Sequence, residues 1–341
     1  MRGFGADAAP GYSDKLMELC EQAKLLYDFS PLSRMTLLNF GSSAEFLVED
    51  RRNGFYTLLR ISGPGTRSRQ EVESELSWLH ELAHHSLPFA FPEVIPGLDG
   101  REVQQIRSPK GGICTCVLFT YLRGRPISMD GEPVAPADAT RLGEAAALLH
   151  QNAIQWDAAP SLTRWSWDFE ALLGANPRYG RWNREGEGIG LPSPAQRALF
   201  DEAASAVSLR LRKFGCSPAR FGLIHASLAA PNVFYYRNRL AITGFDSCGF
   251  GWFLYDFAVF AAAEDDAQCL SLAEAWLLGY GRQRHLSGED RREIPTFLTM
   301  RRLVTLCRAL NGFENGADAT GLAEKTAVQA QRYLKYVKEN L

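Results

Sequence analysis

Between residues 225 and 256 the chain carries several side chains that could do chemistry. His225, Asn232, Asp246 and Asp256 bring an imidazole, an amide and two carboxylates into one stretch. Carboxylate oxygens are good ligands for a hard cation such as Mg²⁺, whereas a neutral amide is a poor sole ligand. Carboxylates can also take the proton from a reacting hydroxyl group. This stretch is therefore the first candidate for a reaction centre.

Two further candidates lie upstream. Arg60 stands in a run of β-forming residues, and Glu75 stands in the amphipathic segment that follows it. They could form an exposed ion pair, which contributes roughly 0 to 1 kcal/mol, or an arginine held ready for an anion. Gly41, Ser42 and Ser43 lie between two apolar runs. A single glycine there is more often a turn residue, although its backbone N–H group could also face a phosphate.

The elements that must position these residues can be predicted from hydrophobic periodicity. In the first part of the chain we expect a helix at 13–27, a strand–turn–strand at 37–48, strands at 55–61, 102–106 and 113–121, and a helix at 68–84. In the rest we expect helices at 137–150, 199–214, 254–263, 267–280, 294–310 and 321–337, and short strands at 221–224, 233–236 and 240–243. The order is a β-rich part, a connector and a mostly helical part.

This order predicts an α+β protein with three segments. Residues 1–34 form an N-terminal helical extension, residues 35–122 an antiparallel sheet with one helix, and residues 123–341 a larger, mainly helical part. The segment 156–190 is expected to be irregular. Its aromatic residues Trp165, Trp167, Tyr179 and Trp182 either line a pocket or pack against one another. Packing is favoured, because aromatic residues usually serve cores.

The bulk composition is that of an ordinary globular protein. The chain has 341 residues, of which 46% are hydrophobic and 22% charged. A net charge of −2 disfavours a broad basic surface for nucleic acid or an acidic membrane. The seven cysteines lack the paired spacing of a zinc site, so we expect reduced thiols. Apolar runs fall short of the roughly 20 residues that span a bilayer, and there is no signal-peptide pattern. We therefore expect a soluble, cytoplasmic protein.

The motifs, taken in order, resemble those of a known family. Residues 225–232, His-Ala-Ser-Leu-Ala-Ala-Pro-Asn, resemble the His-Gly-Asp-Leu-His-x-x-Asn catalytic loop of the aminoglycoside/choline/homoserine phosphotransferases. Residues 242–247 resemble the family's Ile-Asp-Phe-Asp metal motif, and residues 248–256 continue the match. Residues 58–61 and 74–79 resemble its nucleotide-binding strand and helix. The resemblance covers residues 35–335 and implies a two-lobed, protein-kinase-like fold with a β-rich N-lobe and a mainly helical C-lobe.

The resemblance implies a role for each matching residue. Arg60 would hold the phosphates of ATP and Glu75 would orient that arginine, which favours the functional interpretation of this pair. Gly41, Ser42 and Ser43 would cover the nucleotide.

The remaining roles concern the catalytic loop and the metal. His225 would keep a structural role in the loop, and Asp256 would support the loop from the next helix. Asn232 and Asp246 would be ligands of Mg²⁺. ATP and Mg²⁺ are therefore the implied cofactors, although the implied Mg²⁺ site is incomplete.

Two departures from the family pattern bear on activity. Ser227 stands where the family has the aspartate that accepts the proton of the substrate hydroxyl, and a serine hydroxyl is not a usable base near pH 7. Losing such a group typically costs roughly 10²- to 10⁴-fold in rate. Gly244 stands where the family has the aspartate that bridges Mg²⁺ to the phosphates. Asp246 could replace it if the segment were extended, because residues i and i+2 of a strand point the same way.

Three functions are compatible with this pattern. The first is a pseudokinase with impaired or lost phosphoryl transfer, which binds nucleotide or a small molecule and acts through a protein partner. The second is an active ATP-dependent phosphotransferase acting on a hydroxyl of a small molecule (amino alcohol, amino acid or aminoglycoside) or of protein Ser/Thr, with Asp246 replacing the missing metal ligand. The third is a different reaction at the same site. The paired loss at Ser227 and Gly244 favours the first.

Overall fold

A computed structural model describes residues 12–40, 43–52, 54–109, 111–128, 134–183, 191–262, 266–313 and 318–340 of the chain. The chain divides into two compact units. The first unit extends to Arg125 and also takes in the segment Tyr235–Asp246, and the second unit contains Pro126–Phe234 and the chain from Ser247 onward. The predicted division into residues 1–34, 35–122 and 123–341 stays a prediction, but the structure places 235–246 with the first unit.

The first unit is built on an antiparallel sheet with two helices. Its elements are α1 (Tyr12–Lys24), β1 (Arg34–Phe40), β2 (Ser43–Asp50), β3 (Phe55–Ser62), α2 (Arg69–His84), β4 (Phe89–Ala90), β5 (Val94–Ile95), β6 (Gln104–Arg107) and β7 (Ile113–Thr120). The strand order is β1-β2-β3-β7-β5, and β6 also pairs with β7. The register places Glu45 of β2 opposite Arg60 of β3. This alignment puts an acid and a base side by side on neighbouring strands.

Alternating apolar residues give this sheet its buried face. Phe46 and Val48 of β2 pack with Leu59 and Ile61 of β3, each at most 4% exposed. Successive residues of a strand point to opposite faces, so this spacing leaves Glu45 and Arg60 on the other face. Tyr27, which follows α1, packs into the same core. The sheet is thus covered by α1 on one face and carries its charged pair on the other.

Helix α2 begins at a capping box. The Ser68 hydroxyl accepts the backbone N–H of Glu71, and the Glu71 carboxylate accepts the backbone N–H of Ser68. Such a box satisfies N–H groups that the first turn leaves without helical partners. The buried stripe of the helix includes Trp78, whose ring meets Phe245 edge-on with centroids 5.4 Å apart. Glu75 lies on this stripe and is therefore held inside the first unit.

The second unit is mainly helical. Its helices are α3 (Pro136–Gln155), α4 (Phe169–Leu173), α5 (Pro194–Phe214), α6 (Phe253–Ala261), α7 (Asp266–Gln283), α8 (Gly288–Arg292), α9 (Ile294–Leu310) and α10 (Ala319–Glu339). The chain passes between the units in the short strand β8 (Arg125–Pro126), in β10 (Val233–Tyr236) after β9 (Phe221–Ile224), and after β11 (Arg239–Ile242). β12 (Gly249–Trp252) then pairs antiparallel with β9. None of the described helices is long and apolar enough to cross a membrane.

Candidate functional site

Arg60 and Glu75 form a buried ion pair in the first unit. The guanidinium donates to both carboxylate oxygens, with Nη1–Oε1 at 2.7 Å and Nη2–Oε2 at 2.8 Å. Arg60 is 5% exposed and Glu75 is 1% exposed, so the exposed-pair alternative is wrong. Burial alone would lower the pKa of Arg60, but the charge and hydrogen bonds of Glu75 raise it. The arginine therefore stays charged and fixed, as a preorganised anion site requires.

A second arginine, Arg67, forms an ion pair with Asp246. Arg67 lies in the segment between β3 and α2, and its Nη2 donates to Asp246 Oδ2 at 2.5 Å. The side chains are 6% and 22% exposed, which makes this a largely buried pair. Sequence reasoning missed Arg67, because it lies 179 positions from its partner. The carboxylate predicted to bind a metal is thus bound by a guanidinium.

Glu45 completes a group of charges around these two pairs. Burial raises the pKa of Glu45, and the neighbouring charge of Asp246 raises it further. Arg60 and Arg67 act in the opposite direction, but the pKa stays above its usual value. Three acids and two guanidiniums therefore lie close together in the first unit. Sequence reasoning also missed Glu45, although an acid alternating with buried apolar residues on a strand was a visible signal.

The hairpin predicted to cover a nucleotide is described only from Ser43. Gly41 and Ser42 lie outside the described residues. Ser43 is the first residue of β2, and its hydroxyl is hydrogen-bonded to the Ser62 hydroxyl at 3.0 Å. Both serines are buried. The nucleotide-covering role of these residues stays a prediction.

The backbone at Gly244 differs from the extended form that the sequence analysis assumed. Gly244 has a φ of 81°, in the left-handed region where residues with a side chain are strained. Asp246 follows in a single 3₁₀ turn, Phe245–Ser247. The predicted alignment of Asp246 with residue 244 is therefore wrong, because residues i and i+2 point the same way only in a strand. Asp246 does not simply replace the missing carboxylate.

The catalytic-loop residues in the second unit are held by Asp256. Its oxygens accept the backbone N–H groups of His225 at 3.0 Å and Ala226 at 2.5 Å. Ala226 has a φ of 59°, a conformation that costs a residue with a side chain of order 1–3 kcal/mol. Two hydrogen bonds to a buried carboxylate can offset that cost. The predicted supporting role of Asp256 matches this geometry.

Ser227 and Asn232 are joined within the same loop. The Asn232 amide donates to the backbone oxygen and to the hydroxyl oxygen of Ser227, both at 2.8 Å. The Ser227 N–H donates to Nδ1 of His225 at 3.2 Å, and His225 is fully buried. This contact is compatible with the structural role predicted for His225, which stays a prediction. Ser227 is held in place with its hydroxyl oxygen accepting from an amide, an arrangement that can position a hydroxyl but supplies no base.

A buried chain of polar groups extends from Asp256 away from the loop, and sequence reasoning missed it. Nε2 of His150 lies 3.0 Å from Asp256 Oδ2, and Nδ1 lies 3.0 Å from the Tyr280 hydroxyl. Arg284 donates to that hydroxyl at 2.7 Å. Burial lowers the pKa of His150, against the opposing effect of Asp256. A neutral ring then donates from Nε2 to Asp256 and accepts at Nδ1 from Tyr280. The available signal was a histidine on the apolar stripe of a predicted helix.

The Mg²⁺ site implied by the family resemblance does not fit the residues present. Gly244 offers no side chain, Asp246 is bound by Arg67, and Asn232 could offer only a neutral amide oxygen. Among the described residues, no group of three or more His, Cys, Asp or Glu side chains is placed to hold a metal ion. The roles of Asn232 and Asp246 as metal ligands therefore stay predictions.

Comparisons with known proteins give the family and the fold. The profile of the phosphotransferase enzyme family (APH) matches residues 35–294. The solved structure of a microcompartment-associated aminopropanol kinase is 30% identical, with 94% of this chain and 98% of that chain covered and a TM-score of 0.82. Amicoumacin kinase of Bacillus subtilis (strain 168) is 23% identical over 279 residues, 78% of each chain. A solved spectinomycin phosphotransferase, 10% identical with a TM-score of 0.61, covers 94% of this chain and 98% of its own.

These matches confirm the α+β, two-lobed, protein-kinase-like fold predicted from the sequence. They also confirm the family resemblance, and the profile match spans the part of the chain that holds the candidate site. From its motifs, its fold and its relatives, the chain belongs to the phosphotransferase enzyme family.

Proposed function

We propose that the chain is an ATP-dependent phosphotransferase that transfers the γ-phosphoryl group of ATP to a hydroxyl of a small molecule. An amino alcohol is the first acceptor class to test, because the 30%-identical relative is an aminopropanol kinase. The proposal gives the sequence-based alternative of an active enzyme more weight than the pseudokinase interpretation. The likeness to small-molecule kinases over nearly the whole chain supports this order.

The buried Arg60–Glu75 pair carries the proposal. Phosphoryl transfer depends mostly on positioning and on neutralising phosphate charge, so a fixed guanidinium is a functional part. Desolvating each of these two charges costs several kcal/mol, and the family resemblance gives the pair a use that offsets this cost. In this chain the two charges are bidentate and almost inaccessible to water. Arg60 would therefore bind phosphate oxygens while Glu75 fixes its orientation.

The catalytic loop supports acceptor positioning without a carboxylate base. Ser227 is oriented by Asn232, so its hydroxyl can hydrogen-bond the acceptor hydroxyl. A bond forms between the acceptor oxygen and the γ-phosphorus, the bond from that phosphorus to the β-phosphate oxygen breaks, and the acceptor proton passes to water. Because the transition state is loose in most analyses, a missing base slows the step rather than forbidding it. We expect a rate roughly 10²- to 10⁴-fold below that of a family enzyme with the aspartate.

A second candidate function is a pseudokinase that binds a nucleotide or a small molecule without transferring phosphate. The Arg67–Asp246 pair favours it, because a metal ion at Asp246 would have to displace a largely buried guanidinium. The backbone at Gly244 also departs from the extended form in which Asp246 could substitute directly. Such a protein would act through a partner protein.

An assay of ADP release separates the two functions. Purified protein is incubated with ATP, with and without Mg²⁺, and with 1-amino-2-propanol, ethanolamine or choline, and products are identified by mass spectrometry. The proposal predicts ADP release that depends on an acceptor and is lost in Arg60→Ala. ATP that raises the melting temperature but yields neither ADP nor a phosphorylated product would instead support the pseudokinase.

A further inference from the structure

Asp246 supplies the charge at the two positions where the family motif has aspartates, because the other position is Gly244. Its Oδ2 lies 2.5 Å from Nη2 of Arg67. The Arg67 side chain is 6% exposed and that of Asp246 is 22% exposed, so salt and water screen this pair only weakly. The carboxylate that a metal ion would neutralise is thus already paired with a cation of the same chain.

Arg67 is fixed by the backbone on both sides. Before it, the Thr66 hydroxyl donates to the Gly63 oxygen at 2.7 Å, and the Thr66 N–H donates to the same oxygen at 3.2 Å. After it, Ser68 begins α2 with the capping box described above. Both arrangements restrict the backbone next to Arg67. A closed turn and a capped helix therefore present the guanidinium to Asp246.

Asp246 is fixed to the same helix through its neighbour Phe245. The Phe245 ring meets the Trp78 ring of α2 edge-on with centroids 5.4 Å apart, and it meets the Phe91 ring with centroids 5.7 Å apart. Phe245 and Trp78 are at most 2% exposed, so this contact belongs to the core of the first unit. Both partners of the Arg67–Asp246 pair thus depend on α2 for their positions, which makes the pair preorganised.

The charges around this pair come close to balance only when Arg67 is counted. Arg60 is paired with Glu75. The charges of Asp246, Arg60 and Arg67 all act on Glu45. Without Arg67 the group would contain three acids and one guanidinium, and such an excess of negative charge repels phosphate oxygens unless another cation offsets it. Arg67 supplies that offset from within the chain.

We propose that the Arg67 guanidinium takes the place of a divalent cation at Asp246, so that the chain binds a nucleoside triphosphate without Mg²⁺. Nucleotide binding in this inference rests on the proposed function, whereas phosphoryl transfer does not enter it. A guanidinium is a permanent cation, so it neutralises Asp246 at any metal concentration. Gly244 adds no second acid that would repel the phosphates.

Nucleotide binding with and without metal tests the proposal directly. The affinity of the full chain for ATP is measured by calorimetry in excess Mg²⁺ and in excess EDTA. We expect the two dissociation constants to agree within about threefold. A larger preference for Mg²⁺ would overturn the inference and leave the proposed function intact. Binding in neither condition would reject both, and binding in both conditions without phosphoryl transfer would reject the proposed function alone.

Variants of Arg67 then assign the metal independence to this residue. Arg67→Gln should bind ATP about tenfold or more weakly in EDTA than in Mg²⁺, because Asp246 has lost its cation. Arg67→Lys, which keeps the charge, should restore part of the metal-independent binding. Arg69→Gln is the matched control, since it removes the exposed partner of Glu73 near the same end of α2 and should change neither affinity. Equal affinities in Mg²⁺ and EDTA for a folded Arg67→Gln would overturn the proposal.

Metal binding without nucleotide gives a readout that does not depend on ATP. Mn²⁺ is titrated into each chain and followed by electron paramagnetic resonance. Arg67→Gln should bind Mn²⁺ about tenfold or more tightly than the natural chain, and Asp246→Asn in the same background should lose this gain. Equal Mn²⁺ binding by the natural chain and Arg67→Gln would contradict the proposal. The melting temperature of each variant checks folding, and if Arg67→Gln does not fold, the comparison of Mg²⁺ and EDTA in the natural chain decides.

Discussion

Ser227 accepts a hydrogen bond from Asn232 and donates its backbone N–H to His225, so a neutral residue is held at the position where the motif predicts a catalytic aspartate. Asp256 meanwhile keeps the loop backbone in place. The loop is thus well ordered by hydrogen bonds, and neither Ser227 nor Asn232 carries a charge. At the residue scale, the loop residues can position a hydroxyl group, but Ser227 cannot accept its proton.

Removing one partner of the Arg60–Glu75 pair should destabilise the protein strongly. Arg60→Ala leaves a buried carboxylate without its partner, so the free energy of unfolding should fall by about 3–5 kcal/mol. The double variant Arg60→Ala/Glu75→Ala should lose less than the two single variants combined. Urea denaturation measures all three. The exposed pair Arg69–Glu73, with both side chains 45% exposed, is the matched control, and Arg69→Ala should cost at most about 0.5 kcal/mol.

His150 should make the fold sensitive to mild acid. The unfolded chain takes up a proton on this residue below a pKa of 6.5, whereas the folded chain has a lowered pKa and stays neutral. The unfolded state then binds more protons, so the free energy of unfolding should fall as the pH drops below about 6.5. His150→Gln should lower the stability by about 1–3 kcal/mol at pH 7.5 through the altered hydrogen bonds.

In His150→Gln, the free energy of unfolding should lack the part of its pH dependence that His150 causes. Urea unfolding of both proteins at pH 7.5, 6.5 and 5.5 gives the comparison. If the free energy of unfolding fell by the same amount in the two proteins between pH 7.5 and 5.5, the prediction that His150 stays neutral in the folded protein would be wrong.

Sequence reasoning found the residues whose roles follow a motif and missed those defined by distant partners. Arg60, Glu75 and Asp256 were singled out because their local patterns resemble a family strand, helix and loop support; the structure gives each a buried polar partner, and their functional roles stay predictions. His150 lies 106 positions from Asp256, and nothing in the local spacing of either residue predicts their contact. The extended conformation assumed for Asp246 was wrong because one glycine with positive φ redirects the chain.

Helices α3 and α7 of the second unit pack closely enough that glycine is required at their contact. A Cβ atom at Gly279 would overlap the carbonyl oxygen of Thr140, and one at Gly143 would overlap that of Trp276. These helices carry His150 and Tyr280, whose side chains are hydrogen-bonded. At the scale of elements, these glycines allow α3 and α7 to approach closely, and this short distance lets His150 of α3 form a hydrogen bond with Tyr280 of α7.

Alanine substitutions at Gly279 and Gly281, which lie within one turn of α7, should change the free energy of unfolding in opposite directions. Gly279→Ala should lower the free energy of unfolding by about 1–3 kcal/mol, because the backbone of α3 must move. Gly281→Ala, at a position where no described atom lies within 4 Å of the new Cβ, should raise it by about 0.5–1 kcal/mol through helix propensity. Thermal unfolding of both variants measures the difference. A destabilised Gly281→Ala or a neutral Gly279→Ala would contradict the close packing.

Elements with clear periodicity were predicted well. Ile294–Leu310, Phe221–Ile224 and Val233–Tyr236 begin and end where the sequence predicts. β12 (Gly249–Trp252) was missed, because two glycines in four residues give little strand propensity and its pairing with β9 supplies the order. The short helix α4 lies in a segment predicted to be irregular, where a side-chain cap at Asp168 starts five helical residues.

At the scale of the whole molecule, the candidate site residues belong to two different units. The first unit holds Arg60 and Arg67 with their acids, and the second holds the uncharged Ser227–Asn232 loop. The solved aminopropanol kinase that is 30% identical to this chain covers 94% of it. Because a family fold is compatible with many acceptors, the acceptor must be argued from the residues of the second unit.

The rate effect of restoring the aspartate tests the central claim most directly. Single-turnover transfer of labelled phosphate from ATP is measured for the natural chain and for Ser227→Asp with the same acceptor, and Ser227→Ala is the control. If the chain is a phosphotransferase limited by its missing base, Ser227→Asp should be faster by roughly 10²- to 10⁴-fold, and Ser227→Ala should not be. Transfer that is undetectable in the natural chain and in Ser227→Asp would contradict the account and leave a protein that keeps the fold without the reaction.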